Sequence, residues 1–255
     1  MSEQVQQSPF FVRLAKRSEV DEIVALNQRA YIKSPVQNYL GGVTTEITTS
    51  PKDADRRKNQ ERYLKLVYRR AFLEARLTVV VHTSEEGEQK IVASSIWRLP
   101  ARERSKINKG LLDVVSTELL ILPIIWGWGV GFIKRAANLV SLINKGADGV
   151  YKERHMKESR DEQYYLGMVA VDPDFHGKGL MSLLFREAFD HAPSATFTLF
   201  ANGVPARDRY THWGFETWAE TVIGKGECDE NGLANPSGKG FLLYFMVKNP
   251  PKSSE

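Results

Sequence analysis

The spacing of apolar residues changes between two periods along this chain, and it predicts strands and helices in turn. Short runs rich in β-branched and aromatic residues are typical of strands. Apolar residues three or four positions apart, with Ser or Ser-Pro ahead of them, are typical of helices. The predicted strands are 10–14, 77–82, 90–99, 165–171, 195–200, 215–223 and 241–247, and the predicted helices are 18–31, 51–75, 180–188 and 206–212.

The order of these elements decides the predicted fold class. Residues 84–89 form a turn signal between two strands, two further strands stand together near the C-terminal end, and helices separate the others. A mixed order with hairpins at both ends predicts a mixed α/β, α+β-like fold. We expect one domain over residues 1–255, in which the polar, turn-rich residues 31–49 form a loop.

Residues 100–150 interrupt this pattern. Their centre, residues 119–133, runs for fifteen residues without a charge, and Pro123 and three glycines break it. Because a membrane-spanning helix needs about 20 apolar residues, we expect no stable membrane span. We expect an apolar helical insertion, or lid, that is buried or covers a pocket. The alternative is contact with a membrane interface by residues 119–133, which Trp126 and Trp128 would suit.

Charge and cysteine content narrow the function classes. Residues 52–76 carry nine Lys or Arg against four Asp or Glu, a local net charge of +5 in a chain of net charge +4. An exposed helix face explains this cluster, and attraction of an anionic ligand is the alternative. Because the cluster is too sparse for a nucleic-acid-binding surface, we expect no nucleic-acid partner. The single Cys228 excludes an intramolecular disulfide and a Cys-based zinc cluster, and we expect no metal.

The N-terminal residues bear on location. Residues 1–11 show no basic region followed by an apolar run, so we expect no secretory signal and a cytoplasmic protein. The sequence leaves monomer and homodimer both open.

Residues 164–188 carry the strongest candidate for a binding site. An apolar strand breaks at Asp172-Pro173, passes Gly177 and Gly179, and leads directly into a helix. This arrangement aims backbone N–H groups and the positive end of a helix at one point, where a phosphate or pyrophosphate would bind. The glycines permit close approach of the anion and the positive φ that such a cradle often needs.

Two motifs occur in order within this region. V-x-V-D-P at residues 169–173 is followed by x-G-x-G-L at residues 176–180, and Tyr210 precedes Gly214-Phe215 by three intervening residues. Together they resemble the GNAT superfamily of acyl-CoA N-acyltransferases. The resemblance is strong over residues 164–215, and residues 100–150 look like an addition to the usual fold. It implies a central mixed, mostly antiparallel sheet flanked by helices.

The resemblance also implies a cosubstrate site for acetyl-CoA, or another acyl-CoA, between the strand ending at residue 171 and the next strand. Backbone groups of Val169 and Val171 would pair with the pantetheine arm, and the amides of residues 177–181 would take the pyrophosphate. The implied cosubstrate-binding residues are Val169, Ala170, Val171, His176, Gly177, Lys178, Gly179, Leu180, Met181 and Asn202.

Tyr210 stands where the family often has a general acid near the sulfur. A phenol with an ordinary pKa of about 10 is matched to protonating an alkyl thiolate, so Tyr210 is the predicted catalytic residue, with aromatic packing as the alternative. No general base is identifiable. Glu118, Asp161, Glu162 and His155 are candidates, and a solvated charge explains each of them as well.

These residues together predict an acetyltransferase that passes an acyl group to the amine of a small molecule by direct attack in a ternary complex. The apolar insertion favours a hydrophobic or aromatic acceptor. The family usually has Gln or Arg at the position of His176, and Gly or Ala at that of Met181. These departures support the alternative, a catalytically altered GNAT-fold protein that acts as a CoA-binding or regulatory module.

Overall fold

A seven-stranded sheet forms the centre of the molecule. The structure is a computed structural model, and it describes residues 8–107 and 109–251. The expectation of no secretory signal rests in part on residues 1–7, which lie outside these ranges. All neighbouring strands are antiparallel except β4 and β5, which confirms the predicted mixed, mostly antiparallel sheet. In spatial order the strands are β1 (Phe10–Leu14), β2 (Ala75–Thr83), β3 (Gln89–Arg98), β4 (Tyr164–Val171), β5 (Phe197–Asn202), β7 (Phe241–Lys248) and β6 (Glu216–Ile223).

Helices cover both faces of this sheet. Helices α1 and α3 pack on one face, and α8 packs on the other against strands β1 to β4. In the described residues the helices are α1 (Val20–Ala30), α2 (Pro35–Gly41), α3 (Ala54–Glu74), α4 (Ala101–Arg104), α5 (Leu111–Glu118), α6 (Ile121–Trp128), α7 (Gly131–Glu153), α8 (Leu180–His191) and α9 (Val204–His212).

Strand β2 shows why two helical layers are needed. Its side chains alternate between the two faces of the sheet, and both faces of β2 are apolar. Val79 and Val81 pack with residues of α1 and α3, whereas Val80 packs with Leu184 of α8. All three valines are at most 1% exposed. Each face of the sheet therefore requires its own cover.

The predicted loop at residues 31–49 is wrong in its first half, because the structure contains helix α2 there. Ser34 caps this helix by accepting a hydrogen bond from the amide of Gln37, and Pro35 occupies its first turn. Gly42 ends the helix with φ of 61°, in the left-handed region. Seven residues are too few to show a helical period, so only the two capping signals marked α2 in the sequence.

Residues 100–150 fold into helices, as predicted, but only part of the insertion covers the pocket. Helix α7 packs on β6 and lines the cavity described below with Leu139 and Ile143. Burial was the wrong expectation for most of the apolar centre, since only Ile124 and Phe132 are buried within residues 119–133. The sheet face is already covered by α1 and α3, so α5 and α6 pack outside α3 and keep an exposed apolar side.

One described stretch, Leu111–Trp128, has the length and composition of a membrane-spanning helix. Its mean hydropathy is 1.6, and 11% of it is buried. It comprises α5 and α6, which are separated at Leu119 and Leu120. Length and composition alone therefore do not make this stretch a single continuous helix.

Strands β4 and β5 separate soon after they meet. Their parallel pairing covers only the three partners from Tyr164 and Phe197 to Leu166 and Leu199. A register shift in the pairing of β3 with β4 falls at the same level, next to Gly167. Beyond it the two strands diverge, and the open wedge between them holds the candidate site.

Candidate active site

The wedge between β4 and β5 opens into a cavity of about 800 Å³. Helix α8 begins at one end of it, α9 borders it, and α7 closes part of the opposite side. Of the eleven residues predicted as site residues, the cavity brings together ten: Val169, Ala170, Val171, His176, Gly177, Gly179, Leu180, Met181, Asn202 and Tyr210.

The eleventh predicted residue, Lys178, does not line the cavity. Its ammonium nitrogen lies 4.7 Å from the centre of the Phe175 ring, a cation–π contact. Met181 does line the cavity and also packs against the core cluster of Trp97 and Phe185. Its side chain is half-buried, so it borders the cradle without lying free within it.

The turn between β4 and α8 is fixed by a buried carboxylate. Asp172 is fully buried, and its side chain accepts a hydrogen bond from the amide of Asp174, with donors from Arg29 at 2.5 Å and Lys90 at 3.1 Å. Burial by itself would raise the pKa of Asp172, but the Lys90 and Asp174 hydrogen bonds and the Arg29 charge together hold that pKa below its ordinary value. Contacts from α1 and β3 thus lock the start of the turn.

The turn ends in a cradle of free backbone amides. Gly177 and Gly179 have φ of 78° and 71°, and Gly179 precedes the first residue of α8. A Cβ built on either glycine would meet no atom within 4 Å, so open space lies above both. In the described part of the chain, the amides of residues 177–181 have no hydrogen-bond acceptor. Buried Leu180 anchors the first turn of α8 beneath them.

The edge of β4 that faces the wedge is already hydrogen-bonded. The amide of Asp172 donates to Val92 of β3, so the strand alternation turns the backbone groups of Val169 and Val171 away from β3. The Tyr31 hydroxyl donates to the Val169 carbonyl at 2.6 Å and accepts from the Val169 amide at 3.3 Å. A ring nitrogen of His176 lies 3.2 Å from the Val171 carbonyl.

Tyr31 is the site residue that the sequence did not reveal. It follows α1 directly and lies in the segment predicted to be a loop. Burial raises the pKa of its phenol to about 12, so the hydroxyl keeps its proton at neutral pH. Only its contact with Val169, 138 residues away in the chain, identifies Tyr31 as a site residue.

Tyr210 reaches the cavity from α9, and its ring stacks on Phe185 at 6.0 Å between ring centres. Burial raises the pKa of its phenol well above the ordinary value, and the charge of Arg209 only partly offsets this. The phenol is therefore protonated at neutral pH, the form that a general acid requires.

None of the candidate bases is at the cavity. Glu118 pairs with Arg70, and Asp161 lies 2.6 Å from Arg104. Glu162 and His155 do not line the cavity either. In the described residues no Asp or Glu lines it, and no cluster of three His, Cys, Asp or Glu side chains could hold a metal ion.

Residues 130–215 match the acetyltransferase (GNAT) family. This segment includes β4, the glycine turn, α8, β5 and α9, which are the elements that build the wedge. The match to the GNAT family covers these 86 of the 255 residues and includes both motifs. The resemblance first noted in the motifs of residues 169–180 and 210–215 is thereby confirmed.

Solved GNAT structures share the fold over almost the whole chain. A histone acetyltransferase HPA2 and related acetyltransferase from Corynebacterium glutamicum is 17% identical with a TM-score of 0.53, covering 96% of this chain and 99% of that one. A mosquito arylalkylamine N-acetyltransferase like 5b is 17% identical with a TM-score of 0.52, covering 94% and 99%. A Drosophila melanogaster polyamine N-acetyltransferase that forms N-acetylagmatine is 16% identical with a TM-score of 0.51, covering 94% and 99%.

One curated relative also matches. The increased recombination centers protein 11 of Saccharomyces cerevisiae is 29% identical over 89 residues. The match spans 34% of this chain and 57% of that protein. The similarity therefore concerns part of each chain.

Proposed function

We propose that this GNAT protein is an N-acetyltransferase that uses acetyl-CoA, or another acyl-CoA, to acylate the amine of a small apolar or aromatic molecule. The observation that carries this proposal is the convergence of three features on one cavity: a cradle of free amides, the edge of β4 that faces the wedge, and the Tyr210 phenol. Residues 1–255 would act as one domain, with α7 of the 100–150 insertion as the wall of the acceptor side.

The glycine turn fits a pyrophosphate. Free amides of residues 177–181 point where no protein atom supplies an acceptor, and the N-terminus of α8 adds a partial positive charge. The space above Gly177 and Gly179 leaves room for phosphate oxygens. The thioester supplies an activated acyl group, while the protein residues position it.

The edge of β4 would receive the pantetheine arm after a local exchange of hydrogen bonds. The peptide groups of Val169 bond to the Tyr31 hydroxyl in the free protein. Because a peptide-like arm needs the same groups, binding would displace that hydroxyl. Asn202, at the end of β5, borders the same cavity from the opposite strand.

Tyr210 would donate its proton to the departing sulfur, and the proton that the amine nitrogen loses as the amide forms would restore the phenol. Its protonated phenol borders the cavity beside α8, and no charged side chain is needed to activate it. Since no Asp or Glu of the described residues lines the cavity, we expect the acceptor amine to enter in its neutral form. Direct attack in a ternary complex gains its rate chiefly from the positioning of the two reactants.

The lining of the cavity supports an apolar or aromatic acceptor. Six aromatic residues border it: Tyr31, Tyr63, Tyr165, Phe175, Phe200 and Tyr210. A polyamine or agmatine would bring a second cationic group into this space without a carboxylate partner among the described residues, and burying an unpaired charge is costly. Of the two acceptor classes in the relatives' names, the arylalkylamines therefore suit this chain better than agmatine.

Release of CoA in the presence of a panel of amines tests the proposal. We expect turnover with arylalkylamines, and a kcat/KM at least about tenfold lower with agmatine, because one unpaired buried charge costs more than the 1.4 kcal/mol that corresponds to tenfold. Tyr210→Phe should retain acetyl-CoA binding and lose turnover. Turnover that favours agmatine would contradict the acceptor assignment.

A second candidate is a CoA-binding or regulatory module without chemistry. It is favoured by Met181 at the cradle and by the hydrogen bonds that Tyr31 and His176 already make to β4. Saturable CoA binding with no turnover across the amine panel would support this candidate over the enzyme.

A further inference from the structure

We propose that the exposed face of α5, α6 and the start of α7 docks on the surface of an anionic phospholipid membrane. This proposal is independent of the proposed acyl transfer. The face, called here the apolar stripe, begins at Leu111 and ends at Ile133. Trp126 is 88% exposed and Leu112 is 85% exposed, values that are unusual for large apolar side chains.

Exposed large apolar side chains occur on α5, on α6 and at the start of α7. Leu111 and Val115 in α5, and Leu122 and Trp126 in α6, lie four residues apart, the spacing of one helical face. The opposite side of the same segment is buried, with Thr117, Ile124 and Phe132 against the rest of the protein. The exposed members of the stripe are Leu111, Leu112, Val115, Leu119, Leu122, Trp126, Val130 and Ile133.

The charges around the stripe select an anionic partner. Between residues 105 and 140 the only acidic residues are Asp113 and Glu118, and both are paired: Asp113 lies 2.6 Å from Arg17, and Glu118 binds Arg70. Lys106 and Lys109 precede α5, and Lys134 follows the stripe; all three are exposed. In the described part of the chain none of these lysines forms an ion pair.

This charge pattern fits lipid headgroups. Exposed lysines beside an apolar face are the arrangement by which helices lie in the interface of anionic membranes. Trp126 fits the same depth, because its indole combines an apolar ring with a polar N–H group. A second copy of this chain would set the three lysines against another set of lysines if the two stripes packed face to face, which is unfavourable.

The helices would lie on the membrane and would not cross it. α5 and α6 are one-sided, since Ile124 is fully buried while Trp126 is exposed two residues later. Pro123 and the break at Leu119 and Leu120 interrupt the hydrogen-bonding of a continuous span. Helix α7 continues from the stripe at Ile133 to the cavity at Leu139, a rise of about 9 Å along the helix. An apolar molecule dissolved in the membrane would thus lie near the acceptor side.

Vesicle co-sedimentation of the full chain tests the proposal. We expect binding to phosphatidylcholine vesicles that contain phosphatidylserine, and at least tenfold weaker binding to vesicles of phosphatidylcholine alone. Binding to the anionic vesicles should weaken as salt is raised, because the lysine contribution is screened. Absence of binding to the anionic vesicles would overturn the proposal.

Matched variants test whether the apolar stripe and its lysines are the surface that contacts the vesicle. Leu112→Ser with Trp126→Ser should lower vesicle binding at least tenfold, whereas Leu14→Ser, at an exposed apolar residue on β1, should leave it unchanged. Lys106→Glu with Lys134→Glu should abolish the preference for anionic vesicles, and Lys157→Glu, beyond the far end of α7, should not.

Analytical ultracentrifugation without vesicles tests whether a second copy of this chain covers the apolar stripe instead. We expect the same sedimentation for the unmodified chain and the Leu112→Ser, Trp126→Ser variant. A concentration-dependent dimer that this variant dissociates would assign the stripe to a second copy and overturn the proposal. Circular dichroism should be unchanged in all variants, because each replaced side chain is exposed.

Discussion

Gly179→Ala tests the cradle of free amides at the position where the pyrophosphate should bind. Gly179 has φ of 71° and ψ of 14°, and a Cβ there would meet no protein atom within 4 Å. The cost in the free protein is therefore conformational strain alone, about 1–2 kcal/mol for a non-glycine residue in the left-handed region. For a chain of this size that corresponds to a fall in Tm of roughly 2–8 °C.

Acetyl-CoA affinity should fall by more than this strain explains. The methyl group would occupy the space above the free amides, so we expect at least about a tenfold loss of affinity, or 1.4 kcal/mol. Gly87→Ala is the matched control: Gly87 has φ of 83°, equally open space, and a place in the turn between β2 and β3, away from the cavity.

Calorimetric titration and thermal melts measure the two effects separately. Both variants should lose similar stability, and only Gly179→Ala should lose acetyl-CoA affinity. Equal affinity in the two variants, measured below both melting temperatures, would refute the placement of the pyrophosphate above Gly179.

Three other predictions follow from the site. Tyr31→Phe leaves the Val169 peptide groups unpaired in the free protein, so the free energy of unfolding should fall by about 1–3 kcal/mol. Acetyl-CoA should bind this variant more tightly, because no hydroxyl has to be displaced. Weaker binding, measured by calorimetry, would argue against displacement of the hydroxyl. Asp172→Asn should destabilise the protein by roughly 1–3 kcal/mol at neutral pH. The pKa of Asp172 is lowered in the folded protein, so its charge stabilises the fold fully above the unfolded pKa of about 3.9. The difference in free energy of unfolding between the unmodified protein and Asp172→Asn should therefore vanish as pH falls through the pKa of Asp172 in the folded protein. Denaturant unfolding at several pH values checks this, and a constant difference down to strong acid would contradict it. With no carboxylate of the described residues at the cavity, kcat/KM should rise with pH up to the pKa of the acceptor amine itself; a plateau near pH 7 for amines of different pKa would reveal a base on the protein.

The sequence predicted the elements that carry their own local signal. Strand β1 was predicted with its observed ends, and the strand–turn–helix from β4 to α8 was placed within a residue at its start. Gly177 and Gly179 marked the turn because positive φ restricts the choice of residue. The wedge followed from the family resemblance, since splaying of two strands leaves no periodic mark in either one.

Features that depend on distant contacts were not predictable from the sequence. Tyr31 reaches Val169 only through the packing of α1 on the sheet, and Arg29 meets Asp172 across 143 residues. The acidic candidates for the general base lie away from the cavity for the same reason. Glu118, for example, binds Arg70 because α5 packs on α3. The exposure of Trp126 likewise depends on where α6 packs on α3, which the sequence does not show.

Calorimetric titration of the full chain with acetyl-CoA tests directly whether the glycine turn binds the cosubstrate. We predict saturable one-to-one binding, lost in Gly179→Glu, whose carboxylate would fill the cradle with a charge of the same sign as the pyrophosphate. Absence of saturable binding up to about 1 mM, the upper end of usual enzyme KM values, would contradict it.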